Sequence, residues 1–431
     1  MRPKILLVNP AIYDFAAYDF WIKPYGLLSV AGQLRGQADF ALFDYLDRLH
    51  PFVASREELQ SDEFGRGRFY LTRIPNPRPL AQIPRYYRRF GLPRNLFTDF
   101  LAKQSPVDFV FIQTMMSWWY PGVAEVIEDI RKAWPDAKII LGGNYATLCP
   151  DHAKALGPDL VIQGTDLEPL WQYLNLTADP ISPALWEVYE RLDTGVLKLT
   201  EGCPFNCTYC SVPAVYREFK SRPFERSIAE LNLLIKQGAK QIAFYDDALL
   251  FNADKILVPF LSYVLEQNIK VNFHTPNAIN ARFLTKELAE LMVRAGFKTF
   301  YLGFESVSLQ WQQQTGSKVY SEELAQAVVL LKTAGVGPNN ITAYQILGHP
   351  QGNTQELETS MRFVNSLGIR GMLADFSPIP GTPDGEACAK WVDLNEPLMH
   401  NKTAFPIILL GNTEVNRLKD FQRALNRKLV H

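Results

Sequence analysis

The sequence predicts an α/β protein: a doubly wound parallel sheet, then a partial (β/α)6 barrel and a small helical tail. Two observations predict this order. Short apolar runs of strand length alternate with amphipathic helical segments along most of the 431 residues. In addition, most of the predicted strands end at glycine or polar residues, as strands do where parallel sheets carry their sites. The length allows more than one hydrophobic core.

The first series of strands and helices, residues 1–170, predicts a Rossmann-like doubly wound sheet. Ligands of such sheets bind beyond the carboxyl ends of the strands. The predicted strands are Lys4–Val8, Phe40–Phe43, Asp108–Gln113, Lys138–Leu141 and Asp159–Ile162. The predicted helices are Pro24–Leu34 and Val123–Trp134. The loops at the carboxyl edge are Asn9–Ala16, Thr114–Gly122, Gly142–Thr147 and Gly164–Glu168.

An insertion of about residues 46–105 interrupts this first series. It is too long for a plain connection, and residues 64–98 hold eight arginines and no acidic side chain. One interpretation is an irregular flap whose arginine stems pack on aromatic rings. The alternative is a lid that contacts anions, because arginine suits carboxylates and phosphates. The first interpretation is favoured, since charged runs are usually solvated.

A linker at residues 171–193 leads to the second series, residues 194–383, in which six strands alternate with helices. The predicted strands are Val196–Thr200, Gln241–Tyr245, Lys270–Phe273, Lys298–Gly303, Asn340–Leu347 and Gly371–Phe376. Helix-capping patterns support the helices between them: Ser227 with Glu230 forms a possible capping box, and Thr285 precedes an apolar helical face.

The carboxyl ends of these six strands gather polar side chains, and that edge carries the chemistry of parallel barrels. Each residue taken singly has an ordinary explanation as a helix cap or a satisfied hydrogen-bonding group, but six strand ends in register are harder to explain in this way. The residues are Glu201 with the three cysteines, Asp246 and Asp247, His274 and Asn277, Glu305 and Ser306, Gly348 and His349, and Ser377.

Cys203, Cys207 and Cys210 are separated by three and then two residues, so one loop can turn all three sulfurs toward one point. Thiolates select zinc, copper(I) or iron–sulfur clusters. Zinc normally takes four protein ligands, and no fourth Cys or His lies near in sequence. The triplet therefore favours a 4Fe–4S cluster with one iron open for reaction.

Composition limits the partners. The formal net charge is −1, which argues against a nucleic acid or a membrane surface as partner. The cysteine count of 5 is odd and does not suit a disulfide framework, so we expect a reducing, cytoplasmic environment. The tail, residues 384–431, predicts a helix that begins near Thr413.

The cysteine triplet, with Tyr209 before its last cysteine and a barrel behind it, resembles the radical S-adenosylmethionine (SAM) superfamily. The first domain is similar to the cobalamin-binding domain fused to many of these enzymes, through Ile5–Pro10, Pro24–Leu28 and Leu141–Pro150. The resemblance covers about residues 1–383 and implies three cofactors: a 4Fe–4S cluster, SAM and cobalamin.

The resemblance also implies residue roles. The three cysteines hold the cluster, and SAM chelates its open iron. An electron from the cluster then cleaves SAM to a 5′-deoxyadenosyl radical. The residues implied in SAM binding are Tyr209, Asp246, Asp247, Glu305, Ile346 and Gly348. A strand-two motif of relatives is Gly-Gly-Glu-like, and two aspartates stand in its place here.

Cobalamin would contact Thr114, Met115 and Ser117, and its nucleotide tail would pass Gly142, Gly143 and Gly164. The Asp-x-His-x-x-Gly motif that supplies an axial imidazole elsewhere is absent from this part of the sequence, and the last loop reads Gly-Thr-Asp-Leu-Glu where relatives have Gly-Glu-Gly-Glu.

The sequence is therefore interpreted as a cobalamin-dependent radical SAM enzyme that methylates an unactivated carbon of a small molecule or peptide. An external electron donor such as flavodoxin or ferredoxin is implied. His274, His349 or Glu305 would relay a proton. The alternatives are a radical SAM enzyme that cyclises, rearranges or oxidises its substrate, and a non-catalytic iron–sulfur sensor or scaffold.

Overall fold

A computed structural model describes residues 2–429, so Met1, Val430 and His431, the outermost residues of the predicted first domain and tail, lie outside the described residues. The chain divides into two compact units. The first comprises residues 1–195, 229–239 and 394–401, and the second comprises residues 196–228, 240–393 and 402–431. Both units are thus built from separated stretches of sequence.

The first unit contains a five-stranded sheet whose described pairs are all parallel. From one edge to the other its strands are Asp39–Asp44, Lys4–Asn9, Phe109–Thr114, Lys138–Gly143 and Leu160–Val161. All five predicted strands are therefore present, and the order, with the first strand inside the sheet, is that of a doubly wound fold. Alternate side chains such as Leu6, Val8 and Val110 are buried in one hydrophobic core.

The helices of this unit cover the sheet. The predicted helix at Pro24 spans Tyr25–Gly32, and the predicted helix at Val123 begins earlier, at Tyr120. Pro121 follows Tyr120 directly, in the first turn, where proline is tolerated because its missing N–H would be unpaired. The helices are Tyr25–Gly32, Pro51–Ala54, Arg94–Lys103, Tyr120–Ala133, Asn144–Leu148, Pro150–Ala155 and Glu168–Leu174.

The arginine-rich insertion folds partly as an antiparallel sheet formed by Ile12–Asp14, Arg88–Phe90 and Leu71–Arg73. Several of its arginines are committed to structural contacts. Arg89 forms a buried ion pair of 2.6 Å with Glu125, Arg94 pairs with Asp129 at 2.6 Å, and Arg73 lies 3.5 Å from the centre of the Tyr86 ring. These contacts support the packing interpretation of the insertion.

The second sheet has six main strands in sequence order, and the neighbouring pairs from its second to its sixth strand are parallel. Their number and order agree with six βα repeats. The short strand Ile279–Asn280 pairs beside the fourth of them. The six strands are Thr194–Leu197, Gln241–Phe244, Asn272–His274, Phe297–Glu305, Ile341–Leu347 and Arg370–Asp375.

Some of the predicted helix caps are present in the structure and others are not. Thr285 caps its helix through a 3.2 Å bond that its hydroxyl accepts from the amide of Leu288. The Ser227 prediction is wrong: the helix begins at Phe224, and the Ser227 hydroxyl donates to the carbonyl of Pro223 instead. The tail helix begins at Asn412, before the expected Thr413.

The remaining helices are Phe224–Lys236, Val212–Val215, Leu257–Glu266, Lys286–Ala295, Leu309–Thr315, Ser321–Thr333, Thr354–Ser366, Pro383–Glu386, Ala404–Leu410 and Asn412–Arg427.

Across residues 2–429, none of the helices combines the length and the apolar character needed to cross a lipid bilayer.

Candidate functional site

The cysteine triplet lies in the loop that follows the short strand Thr200–Glu201. Cys207 is buried, Cys203 and Cys210 are partly exposed, and all three are free thiols. Within residues 2–429 no three His, Cys, Asp or Glu side chains already surround one point as a metal site. The three sulfurs nevertheless share one electrostatic environment: burial raises the pKa of each thiol, and the ammonium group of Lys318 opposes that rise at all three.

Lys318 is the central cation of this site. Its Nζ lies 3.8 Å from Oε1 of Glu305, and only 20% of its side chain is exposed. Burial acts to lower the pKa of Lys318, but Glu305 and the three cysteines outweigh burial, so its pKa is raised and the ammonium stays charged. Lys318 was not among the predicted site residues, because it follows a helix rather than a strand end.

The segment before Lys318 presses on the cysteine loop. The amide of Thr208 donates to the carbonyl of Thr315 at 3.2 Å. Gly316 adopts φ +125, and a Cβ there would lie 3.0 Å from Cα and 3.3 Å from Sγ of Cys207. Only glycine accepts both this conformation and this approach, so the turn that carries Lys318 is fixed against the loop.

Glu305 is aimed by a distortion of its strand. The register between its strand and Ile341–Leu347 shifts between Gly303 and Glu305, and Glu305 itself adopts φ +66. A left-handed glutamate is uncommon and costs energy, which is a feature of functional sites. Burial raises the pKa of Glu305, while Lys318 and the Tyr209 hydroxyl oppose that rise. A side chain at Gly303 would crowd this pair, 3.2 Å from both partners.

The two aspartates after the second strand differ in role. Oδ1 of Asp246 accepts bonds from the Leu199 amide at 2.9 Å and from the amide and hydroxyl of Thr200, both at 2.6 Å. Asp246 therefore fixes the start of the cysteine loop. Burial raises its pKa to about 6, although Thr200 and Lys198 oppose the rise.

Asp247 is the aspartate that acts on the cysteines, since its charge raises the pKa of both Cys203 and Cys210. It pairs with the buried Lys198 at 3.6 Å, and its Oδ2 has no hydrogen bond among the described residues. Burial raises the pKa of Asp247, and Lys198 and Lys318 oppose that rise. Asp247 is thus the better placed of the two to bind a cationic group beside the cysteines.

The three proposed proton-relay residues are not equivalent. His274 is fully buried, and its ring nitrogens bond the Thr299 hydroxyl at 2.8 Å and Gln241 Oε1 at 2.9 Å. Gln241 begins its strand, so this ring points away from the carboxyl edge. His274 is therefore a structural residue of the sheet, and its assignment as a relay is corrected.

The His349 ring is linked to the cysteine loop through the side chain of Asp384. Its Nδ1 accepts from the Gln351 amide at 3.2 Å and from the Trp311 indole at 3.4 Å, so the proton is on Nε2, which donates to Asp384 Oδ2 at 2.9 Å. The Asp384 carboxylate also accepts from the Thr208 hydroxyl at 2.5 Å, and the Asp384 amide donates to the Thr208 carbonyl at 3.1 Å. Burial acts to raise the pKa of Asp384, but His349 and Thr208 outweigh it and lower that pKa.

Tyr209 packs inside this network. Its ring stacks on Trp311 with centroids 6.0 Å apart and an interplanar angle of 16°, and it meets His349 edge-on at 6.3 Å. Burial, and then the charge of Glu305, raise the pKa of Tyr209 well above its usual value, so the phenol stays neutral.

Ile346 lies partly buried near the end of its strand, and Gly348 follows that strand with φ +80. A Cβ at Gly348 would lie 2.7 Å from Pro406. The glycine is therefore required by packing against the tail.

In the first unit, a small cleft opens at the carboxyl ends of the central strands. Thr114 and Met115, both predicted, are among its lining residues. Most of the lining side chains are apolar, and the polar ones are Asn9, Gln113, Thr114 and Tyr145. The lining residues are Asn9, Pro10, Ala11, Ile12, Leu46, Gln113, Thr114, Met115, Met116, Trp119, Val123 and Tyr145.

The other predicted residues of this unit lie outside that lining. Ser117 is buried and bonds His400. Gly143 adopts φ +113, and a Cβ there would lie 2.1 Å from the Thr114 carbonyl. Glycine is therefore needed at this position for the ends of the two strands to pack together. Gly164 donates its amide to the Thr147 hydroxyl at 2.9 Å, and Gly142 has only ordinary contact space around it.

Comparison with known proteins matches residues 197–364 to the family described as the radical SAM superfamily. This match contains the cysteine loop, Asp247, Glu305, Lys318 and His349. This part of the chain is a radical SAM domain. The radical SAM domain therefore coincides with the segment in which the sequence placed the cysteine triplet.

Two solved structures share the fold of nearly the whole chain. The radical SAM methyltransferase TsrM from Kitasatospora setae, with tryptophan substrate and a SAM analog bound, superposes with a TM-score of 0.69 at 13% identity, covering 98% of this chain and 89% of TsrM. The cobalamin-dependent SAM radical enzyme OxsB superposes with a TM-score of 0.57 at 13% identity, covering 98% of this chain and 61% of OxsB. The predicted α/β fold class, with its parallel sheets and helical tail, is confirmed.

Among curated proteins, an uncharacterized methyltransferase of Pyrococcus horikoshii, PH0819, is 26% identical over 263 residues, covering 60% of this chain and 54% of that protein. The hopanoid C-2 methylase of Rhodopseudomonas palustris is 28% identical, covering 53% of this chain and 54% of the methylase. The chain spans about half the length of these relatives.

Proposed function

We propose that this chain is a cobalamin-dependent radical SAM enzyme that methylates an unactivated carbon of a small-molecule or peptide substrate. The observation that carries the proposal is the arrangement around the cysteine loop: three free thiols, the partly buried ammonium of Lys318 and the carboxylates of Asp247 and Glu305, within a radical SAM domain.

The donor set fits a 4Fe–4S cluster. Thiolates are the ligands that such clusters take, and Cys203, Cys207 and Cys210 would hold it. When bound, the cluster supplies the electron that cleaves SAM, and an external electron donor returns that electron. The Lys318 ammonium offsets the negative charge that three thiolates concentrate in a partly buried loop.

The groups beside the thiols also suit SAM, which carries an amine and a carboxylate. Lys318 offers a cation to the carboxylate. Asp247, with an unsatisfied Oδ2, and Glu305 offer anions to the amine. Opposite charges held at fixed positions would orient SAM before it is cleaved.

The cleft of the first unit fits part of a corrin. It lies at the carboxyl edge of a doubly wound sheet, where such folds bind nucleotide-containing ligands, and its wall is largely apolar. When bound, cobalamin supplies the methyl group. In support, TsrM is known with cobalamin and a [4Fe-4S] cluster bound, and its fold covers this chain.

The test is anaerobic purification with added hydroxocobalamin, followed by the absorption spectrum and by incubation with methyl-labelled SAM and dithionite. We expect cluster and corrin bands together, 5′-deoxyadenosine in the product mixture, and label transferred from SAM to the protein-bound corrin.

Each failure has its own meaning. A cluster spectrum without corrin bands would refute the cobalamin part of the proposal. Formation of 5′-deoxyadenosine without transfer of the label would favour the cyclising, rearranging or oxidising alternative. A protein with both spectra but without either product would be a sensor or scaffold rather than an enzyme.

A further inference from the structure

Residues 394–401 of the tail, here called the strap, belong to the first unit although the residues on either side of them belong to the second. The strap contains the short 3-10 helix Pro397–His400. Leu398, His400 and Asn401 are at most 3% exposed. No motif in this segment indicates a role, but its side chains are closely packed.

One buried carboxylate joins the strap to the wall of the cleft. Oδ1 of Asp14 accepts from the Asn401 side chain at 2.9 Å and from the Phe15 amide at 2.7 Å. Its Oδ2 accepts from the indoles of Trp118 and Trp119, at 2.8 and 2.7 Å. Four donors compensate a charge that is 0% exposed, and bonds to a charged acceptor are about twice as strong as neutral ones.

A second contact joins the strap to the same loop. His400 Nε2 lies 2.9 Å from the carbonyl of Leu394, and a carbonyl only accepts, so Nε2 carries the proton. Nδ1 is therefore an acceptor, and the Ser117 hydroxyl donates to it at 2.8 Å. The imidazole thus holds Ser117 in one orientation.

These contacts converge behind the cleft. Trp119 and Met116 line it, as does Ile12, two residues before Asp14. The strap therefore fixes the loop of residues 115–119 from behind, through Ser117 and through both indoles. Hydrogen bonds to buried polar groups restrict orientation more strictly than apolar packing does.

We propose that the strap is a positioning element for cobalamin: Asn401 and His400 hold residues 115–119 in the one arrangement whose surface accepts the corrin. This inference rests on the proposed function, because it takes the cleft to be the cobalamin site. Asn401, His400, Asp14 and Ser117 act through the loop and do not themselves touch the cofactor.

The test is a spectrophotometric titration of anaerobically purified, cluster-containing protein with hydroxocobalamin. We expect Asn401→Ala and His400→Ala each to weaken binding about tenfold, the effect of one lost buried hydrogen bond. Lys402→Ala is the matched control, because Lys402 is exposed and adjoins the strap; its affinity should equal that of the wild type. Formation of 5′-deoxyadenosine should be unchanged in all three.

His400→Asn places an amide oxygen near the position of Nδ1, so it should recover part of the affinity that His400→Ala loses. Should His400→Ala fail to fold, Ser117→Ala removes the same hydrogen bond from the loop side and gives the same comparison.

The outcomes separate the two proposals. If the wild type does not bind cobalamin, the proposed function fails and this inference fails with it. If the wild type binds and the strap variants bind equally well, only the inference is overturned. If Lys402→Ala weakens binding as much as the strap variants do, the effect is general to the tail and the positioning role is likewise overturned.

Discussion

The cysteine loop and the cleft of the first unit present their ligand groups by different physical means. Around the cysteines, buried charges face one another: Lys318 with Glu305, and Lys198 with Asp247. The cleft wall has no charged side chain among its lining residues, and the buried carboxylate of Asp14 behind it already accepts four hydrogen bonds. One region binds by charge and coordination, and the other by shape.

This difference predicts that a substitution in one region leaves ligand binding by the other region unchanged. Cys207→Ala gives the largest expected effect, because a cluster that loses one of three thiolate ligands is lost with its redox chemistry. We expect no iron–sulfur absorption and no 5′-deoxyadenosine, with hydroxocobalamin affinity as in the wild type. A parallel loss of cobalamin binding would show that the two regions are not independent.

Lys318→Met is expected to have the next largest effect. Removal of one partner leaves Glu305 buried without its cation, and breaking such a pair costs about 3–5 kcal/mol. Part of that cost should appear as a loss of SAM affinity of roughly two orders of magnitude, measured by equilibrium dialysis of cluster-containing protein. Lys318→Arg keeps the charge and serves as control; equal losses in both variants would show that shape, not charge, matters at this position.

Asp246→Asn is expected to have the smallest effect, which is a change in how the free energy of unfolding depends on pH. The folded-state pKa of Asp246, about 6, lies above its ordinary value of 3.8, so folding takes up a proton between these values. The favourable contribution of the protonated group is complete below pH 3.8 and is lost as the pH rises through about 6. Between about pH 4.5 and pH 6.5 the free energy of unfolding of the wild type should fall by about 2 kcal/mol relative to the variant.

Urea unfolding of both proteins across that range measures this difference. Parallel curves would mean that Asp246 titrates as an ordinary carboxyl and that its burial does not penalise the charge.

The same contrast explains what the sequence could reveal. Strands and helices follow from hydrophobic periodicity, so all five strands of the first sheet and all six of the second were predicted, with small shifts at their ends. The cysteine triplet is visible in the sequence because coordination needs particular atoms at a particular spacing. Thr114 and Met115 line the cleft, at the carboxyl edge where a doubly wound sheet binds ligands, and their contact with cobalamin stays a prediction.

The residues that were missed act through contacts between distant parts of the chain. Lys318 reaches the cysteines from a turn after a helix, and Asp384 reaches Thr208 across 176 positions. The assignment of His274 as a relay needed correction for a related reason. Its position at a strand end is visible in the sequence, but the direction of its ring depends on its contacts with Thr299 and Gln241. Neither local propensity nor spacing contains this information.

The strap has a consequence for how the protein is made. Asp14 and Asn401 are separated by 387 positions, so the carboxylate and this donor meet only after residue 401 has been synthesised. Until then Asp14 can accept hydrogen bonds from the two indoles but not from the side-chain amide of Asn401. Although domains generally fold as units from the N-terminus during synthesis, the wall of this cleft is completed only after the cysteine loop has been translated.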